Sequence, residues 1–298
     1  MLTRIAFLGT PAAAVPSLEA LVRAGHSVSL VVSRPDRRRG RGSGISPSPV
    51  KEAALRLGLV VTDRLEDVVD VGVDLGVVVA YGRIIPAAVL HRVPMVNLHF
   101  SLLPRWRGAA PVERAILAGD RTTGVCLMTV EEGLDTGPVH ARVEVPIGPE
   151  ETAEELRERL AGLGADVLVQ GLKGVLTRGP GALPEPEPQT GETTYAAKIT
   201  PGERELHWED PAERLDRVVR IGGARSTFRG RRLRVLRAVP IDGGGPARAE
   251  PGTLMGTSVT AGTGALELLQ VQPEGSRPMT AADWLRGARP VEGERLGG

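Results

Sequence analysis

The 298-residue chain holds one cysteine, Cys126. No intrachain disulfide framework and no cysteine-based zinc cluster can be built from it. A reducing cytoplasm fits that usage. Aromatic residues make up 3% of the chain, so aliphatic side chains must fill the core. No apolar run approaches the roughly 18 residues of a membrane-spanning helix. The opening MLTRIAFLGTP goes straight into a strand-like run and lacks a secretion-signal pattern. Neither sign of charge prevails, with 37 Lys and Arg against 36 Asp and Glu, a net charge of +1. Any nucleic-acid contact must therefore come from local basic patches and not from the overall field. His26, His91, His140 and His207 show no metal-site spacing, and no metal is expected.

What is present is an alternation of apolar runs and helical segments. Residues 3–8, 27–32, 58–61, 74–80 and 95–99 read as strands, with helices around 16–24 and 50–57 between them. This alternation predicts an α/β fold with a mostly parallel sheet covered on both faces. Two further strands are expected at 125–130 and 139–145. Thr152 and Glu155 form a capping-box signature, and Leu156, Leu160, Leu163 and Val167 continue it as a helix to about residue 176. Residues 178–193, RGPGALPEPEPQTGET, read as a linker. Beyond them come a helix near 212–220 and short strands at 231–239, 252–254 and 265–272. Those strands, with Gly and Pro turns, predict a small β-barrel.

The segment MVNLHFSLLPRWRGAAP (95–111) is the most informative. Residues i and i+2 of a strand share a face, so Asn97 and His99 project together from a strand end. An amide donor beside an imidazole suits chemistry in which negative charge develops on one oxygen. A hydrogen-bonded structural histidine is the plainer alternative. Asp135, in GLDTGP, adds an acid in a glycine-flanked loop, where a simple turn is the competing reading. The Gly9-Thr10-Pro11 turn has too few glycines to cradle a pyrophosphate, which disfavours dinucleotide binding. Cys126 falls in an apolar strand and is expected in the core. Arg34, Arg37, Arg38, Arg39 and Arg41 crowd one Pro/Gly loop, either as a solvated charge run or as a clamp on a phosphate backbone. A second group, Arg229, Arg231, Arg232, Arg234 and Arg237, lies in the predicted barrel. There Leu233 and Val235 alternate with Arg232 and Arg234, predicting one buried and one basic face.

FLGTP (7–11), RPDR…GRG (34–42), PSPVK (47–51), VVVAYGRIIP (77–86), NLHFSLLPRWRGAAP (97–111), GLDTGP (133–138) and TYAAKI (194–199) occur in order along nearly the whole chain. On these motifs it resembles the methionyl-tRNA formyltransferases, within the folate-dependent formyltransferase family. The resemblance implies a Rossmann-like catalytic domain over 1–177, a linker over 178–200 and an OB-like, tRNA-binding β-barrel over 201–298. It implies formyl transfer from 10-formyltetrahydrofolate to initiator Met-tRNA by a cytoplasmic monomer. Asn97, His99 and Asp135 match the family's catalytic positions. Tyr81, Gly82, Arg83 and Ile84 match the wall of the folate pocket, and Ser101, Leu102, Leu103 and Pro104 the segment that holds the folate. The arginine loop, Lys198, Arg232 and Arg234 are expected to meet tRNA. Two features depart from the family pattern: Ser43-Gly44 stands where lysines often follow GRG, and RIGGARSTFRG (220–230) replaces a Pro/Trp-rich stretch. The alternatives are an amino-sugar nucleotide formyltransferase, a formyltetrahydrofolate hydrolase, and a tRNA-binding protein with a degenerate catalytic domain.

Overall fold

The computed structural model describes residues 3–38, 45–241 and 249–297. It begins with β1 (Arg4–Gly9), α1 (Val15–Arg23), β2 (Ser27–Val32), β3 (Arg37–Arg38), β4 (Ile45–Ser46), α2 (Pro49–Arg56), β5 (Val61–Thr62) and α3 (Asp67–Asp70). It continues through β6 (Leu75–Val79), α4 (Ala87–Leu90), β7 (Met95–His99), β8 (Arg107–Gly108), α5 (Pro111–Ala118), β9 (Thr122–Thr129), β10 (Val139–Pro146), α6 (Ala153–Arg178) and β11 (Tyr195–Ala196). The last elements are α7 (Ala212–Arg220), β12 (Arg225–Phe228), β13 (Arg231–Ile241), β14 (Leu254–Met255), β15 (Ser258–Thr260), β16 (Ala265–Pro273), β17 (Met279–Thr280) and α8 (Ala281–Ala288). They form two compact units. The first takes residues 1–112, 122–146 and 157–197, the second 113–121, 147–156 and 198–298. No helix of the described residues is long and apolar enough to cross a membrane.

The first unit is built on a seven-stranded sheet of order β10-β9-β7-β6-β1-β2-β5. The strands from β5 to β7 pair in parallel, while β9 pairs antiparallel with both β7 and β10. Every residue of β6 is buried, as is all of β1 after Arg4. That is why these strands read as unbroken apolar runs and not as alternating ones. Gly9 lets β1 approach β6 closely: a Cβ there would lie 3.0 Å from the Val79 carbonyl oxygen. Cys126 is fully buried beside Leu103, Met128 and Val139, and burial pushes its thiol pKa up.

The stretch expected as a linker carries many of this unit's contacts. Val139 and Glu187 exchange two backbone hydrogen bonds of 2.8 Å. β11 pairs in parallel with β8, and the N–H groups of Ala109 and Ala110 share the Ala196 carbonyl. The segment is a strap, because its backbone groups find partners on the unit it crosses. Gly108 makes that crossing possible, with φ +120 and room for no side chain against the Ala196 carbonyl.

The second unit is an antiparallel sheet, β12-β13-β16-β15-β14, with β17 paired to β16. Helix α7 packs on β13 and α8 on β16. Leu215, Leu233, Val235, Val259, Leu266 and Val271 are its core, closed by an edge-to-face contact of Phe228 with Trp284. Helix α8, which sequence reasoning missed, starts at Thr280, whose hydroxyl accepts the Asp283 N–H.

Asp216, on α7, is 6% exposed, and its Oδ2 lies 3.7 Å from Arg220 Nη1. Arg220 also donates to the carbonyls of Gly148 and Glu151. Burial pushes the Asp216 carboxyl from 3.8 up to about 6, against the pull of Arg220 and Arg217. The folded state therefore holds this proton more tightly than the unfolded state does. Stability must fall as pH rises from about 4 to about 6 and level off above that. In urea unfolding of the full chain, wild type should lose roughly 1 to 3 kcal/mol relative to Asp216→Asn between about pH 4 and pH 7. A difference that does not change with pH would show that burial does not perturb this carboxyl.

Candidate active site

The chain places β2 and β5 on one side of β1, and β6 and β7 on the other. Such a switch leaves a crevice at the carboxyl ends of the parallel strands, where open α/β sheets bind ligands. Those ends are Gly9, Val79 and His99, aligned by the pairs Gly9–Val79 and Val79–Leu98. Asn97 is half-buried and His99 buried, both on the face of β7 that strand alternation gives them. Asn97 makes no side-chain hydrogen bond among the described residues, so its amide is available to a ligand.

His99 Nε2 lies 2.8 Å from the Trp106 carbonyl oxygen. A carbonyl only accepts, so Nε2 carries the proton. Nδ1 is then the nitrogen that can gain or lose one, and it faces Asp135 Oδ2 at 3.6 Å. The same Oδ2 accepts the Gly108 N–H at 2.8 Å. Asp135 sits in the turn between β9 and β10 at φ +50, a conformation that costs a non-glycine residue free energy. Gly137 lets the turn close, since a Cβ there would overlap the Thr129 carbonyl.

Sequence reasoning assigns no role to three residues of this site, Gln189, Arg107 and Thr194. Gln189, on the strap, donates through Nε2 to the carbonyls of Asp135 and Gly137 at 2.8 and 2.7 Å. Its Oε1 accepts from Arg107 Nε and Nη2 at 3.1 and 2.6 Å. Thr194 Oγ1 accepts the Trp106 N–H at 2.9 Å, and the Thr194 carbonyl accepts the Arg107 N–H at 2.9 Å, which fixes the Trp106–Arg107 peptide whose carbonyl holds His99. The TYAAKI motif marks this neighbourhood, but nothing in its composition points at Asp135.

The residues expected around the folate divide in two. Tyr81 is buried in the core and its Oη has no hydrogen-bond partner among the described residues. Burial raises its phenol pKa, while Arg83 opposes the rise. Gly82, Arg83 and Ile84 are exposed, Ile84 at 84%. Ser101 is buried and its hydroxyl donates to the Arg105 carbonyl, closing the Ser101–Arg105 turn. Leu103 and Pro104 are buried and Leu102 half-buried.

The expected tRNA residues divide between the two units. Arg34 donates to the Gly82 carbonyl, so its guanidinium is tied to the β6 turn. Arg37 and Arg38 form β3, while Arg39 and Arg41 lie outside the described residues. Lys198 is exposed. Arg232 and Arg234 are exposed on β13, opposite buried Leu233 and Val235, as the alternation predicts. Arg232 lies 3.9 Å from Glu274. Arg229 and Arg237 are bound to Glu294 and Glu155, which weakens the second group as a free basic patch.

The formyl transferase family matches residues 3–172, and the formyl transferase C-terminal domain matches residues 198–289. The chain is 47% identical over 311 residues to a methionyl-tRNA formyltransferase of Halorhodospira halophila, with 99% of each covered. It is 45% identical over 316 residues to the methionyl-tRNA formyltransferase of Streptomyces coelicolor, again with 99% of each covered. Among solved structures, an N-formyltransferase from Helicobacter canadensis in complex with folinic acid and dTDP-3-aminofucose aligns with a TM-score of 0.69 at 16% identity, over 90% of this chain and 99% of that one. At that identity the likeness is one of fold. By its family match and near-full-length identity, the chain belongs to the formyl transferase family and, within it, to the methionyl-tRNA formyltransferases.

Proposed function

We propose that this chain transfers the formyl group of 10-formyltetrahydrofolate to the amino group of methionyl initiator tRNA, giving N-formylmethionyl-tRNA for translation initiation. One observation carries the reading. A chain 47% identical over its length to a methionyl-tRNA formyltransferase has Asn97 and His99 at the carboxyl end of β7, with Asp135 facing His99 Nδ1 at 3.6 Å. A cytoplasmic monomer is the state this reading takes.

The methionyl amine attacks the formyl carbon. A C–N bond forms and the formyl oxygen takes up negative charge, which the Asn97 amide stabilises by donating a hydrogen bond. The His99 Nε2–H is committed to the Trp106 carbonyl, so the ring is not a second donor to that oxygen in this geometry. Its part is at Nδ1, where a proton can sit between the ring and Asp135. The His99–Asp135 pair takes the proton the amine sheds, directly or through water. The bond from the formyl carbon to N10 then breaks, and one proton ends on N10. No enzyme-bound acyl group is required, because the folate already carries an activated one. The folate lies along Tyr81–Ile84 and Ser101–Pro104. The tRNA is met by the loop bearing Arg34, Arg37, Arg38, Arg39 and Arg41, and by Lys198, Arg232 and Arg234.

The deciding assay supplies labelled 10-formyltetrahydrofolate with Met-tRNA of the initiator type, elongator tRNA, an amino-sugar nucleotide, or no acceptor. Label should pass to initiator Met-tRNA. Transfer to the sugar nucleotide, or release of formate without acceptor, would replace the reading with one of its competitors. In the same assay Asn97→Ala should lower turnover by roughly a hundred- to a thousandfold with binding little changed, the usual cost of one oxyanion donor. Near-wild-type turnover would remove Asn97 from the chemistry.

Arg41→Ala should weaken tRNA use and reduce the slope of log affinity against log salt by about one ion's worth. Folate affinity should stay unchanged. The opposite pattern would assign the loop to folate.

A further inference from the structure

The turn from Glu131 to Gly137 projects from the end of the β9–β10 pair, and all of its residues but Asp135 and Gly137 are exposed. Asp135 nevertheless has to be aimed closely. Its carboxylate already stands 3.6 Å from His99 Nδ1, so a small outward swing would end the contact. The Gln189 amide lies behind the turn. Its NH2 spans the two carbonyls that flank Thr136, while its oxygen receives both Arg107 N–H donors. This arrangement also fixes which way the amide points, since a flipped amide would set oxygen against two carbonyls and NH2 against two donors. Arg107 in turn is the middle residue of a tripeptide that grips the catalytic pair from both ends. The Trp106 carbonyl holds His99, and the Gly108 N–H holds Asp135. One closed circuit of hydrogen bonds therefore runs from Gln189 through the turn, the Asp135 carboxylate, Gly108 and Arg107, and back to Gln189.

Resting on the formyl-transfer reading, we propose that Gln189, oriented by Arg107, is the positioning residue that aims the Asp135 carboxylate at His99 Nδ1. Its route is the backbone. Removing the NH2 leaves two half-buried carbonyls without a donor, and the Asp135–Thr136 peptide is then free to rotate out of the φ +50 conformation. Gln189 does not touch a reacting atom in this account. The strap from 184 to 196 thus contributes to chemistry as well as to folding.

The test compares Gln189→Met, of similar length but without hydrogen bonds, with Gln189→Glu, which keeps the acceptor for Arg107 and loses the two donors. Both should fold, with thermal midpoints near wild type. Both should lower kcat by roughly 10- to 100-fold, the scale of a misplaced catalytic group, with KM for folate and for Met-tRNA within about twofold of wild type. In an Asp135→Asn background, Gln189→Met should add little further loss, because the group it aims is gone. A single variant within about twofold of wild-type kcat would overturn the proposal. So would rescue by Gln189→Glu, or a loss that multiplies fully onto Asp135→Asn. If Gln189→Met does not fold, Gln189→Glu and its double variant carry the test. The comparison is made on whichever acceptor the wild-type chain formylates. A different acceptor would then correct the functional reading alone, while an unaffected kcat would sink the positioning role alone.

Discussion

The Trp106 carbonyl decides which nitrogen of His99 can change its charge. By accepting from Nε2, it leaves Nδ1 as the one site of proton gain or loss, and Nδ1 faces Asp135. Much of unit 1 is arranged to keep that carbonyl where it is. Trp106 stands at φ +64, an unfavourable backbone state, with its N–H fixed by Thr194. The peptide after it pairs with Tyr195–Ala196, so the strap and the β7 turn hold one another. Without that pairing, His99 would be a buried ring with both nitrogens free to reorient.

The parallel strands were legible because burial on both faces leaves unbroken apolar runs, as in Leu75–Val79. The projection of Asn97 and His99 from one strand end followed from a two-residue period. The partnership of His99 with Asp135 could not follow from any period, since it spans separate strands and a hairpin turn; the resemblance supplied it. Gln189 was less legible still. Its contacts lie 54 and 82 residues away in sequence, and the segment that carries it looks like a linker because Pro, Gly and Glu dominate it. Two-residue strands such as β8 and β11 have no periodicity to read, and the strap is held by backbone pairing that composition does not encode. Helix α5 was missed for a related reason: eight residues give barely two turns of pattern.

In the second unit the alternation along β13 was legible and its limit is instructive. Leu233 and Val235 are buried and Arg232 and Arg234 exposed, but the register shifts between Val235 and Arg237, and again before Ala238. A bulge of this kind breaks a two-residue pattern, so extrapolating it past Val235 misjudges which residues face the core. Charge was harder to read than burial. Arg229 and Arg237 look basic in sequence and are neutralised in space by Glu294 and Glu155. A count of arginines therefore overstates the field that this face offers a polyanion. Lys198, Arg232 and Arg234 are the better candidates because their side chains are exposed and none has a short ion pair among the described residues.

The division between chemistry and acceptor choice follows from the same geometry. An N-formyltransferase crystallised with a sugar nucleotide shares this fold at 16% identity, so the fold does not by itself select an acceptor. What the chemistry asks of the protein is modest: a donor for one oxyanion, and a place for one proton. In the proposed reaction Asn97, at the end of β7, meets the first need, and His99 from the same strand meets the second with Asp135 of the β9–β10 turn, which the strap of the same unit holds. Cys126 pairs opposite His99 across the β7–β9 ladder, yet its side chain is fully buried and its thiol pKa raised, which leaves it no nucleophilic part. Selection of a tRNA has to come from groups outside that set, and they are of a different kind. In the proposed reading they include the exposed cations Lys198, Arg232 and Arg234, whose contribution depends on salt, whereas the Asn97 donor and the His99–Asp135 pair are largely shielded from it. Salt should therefore act on the two halves of the activity separately, moving affinity for the acceptor while leaving the rate of the bound complex nearly constant.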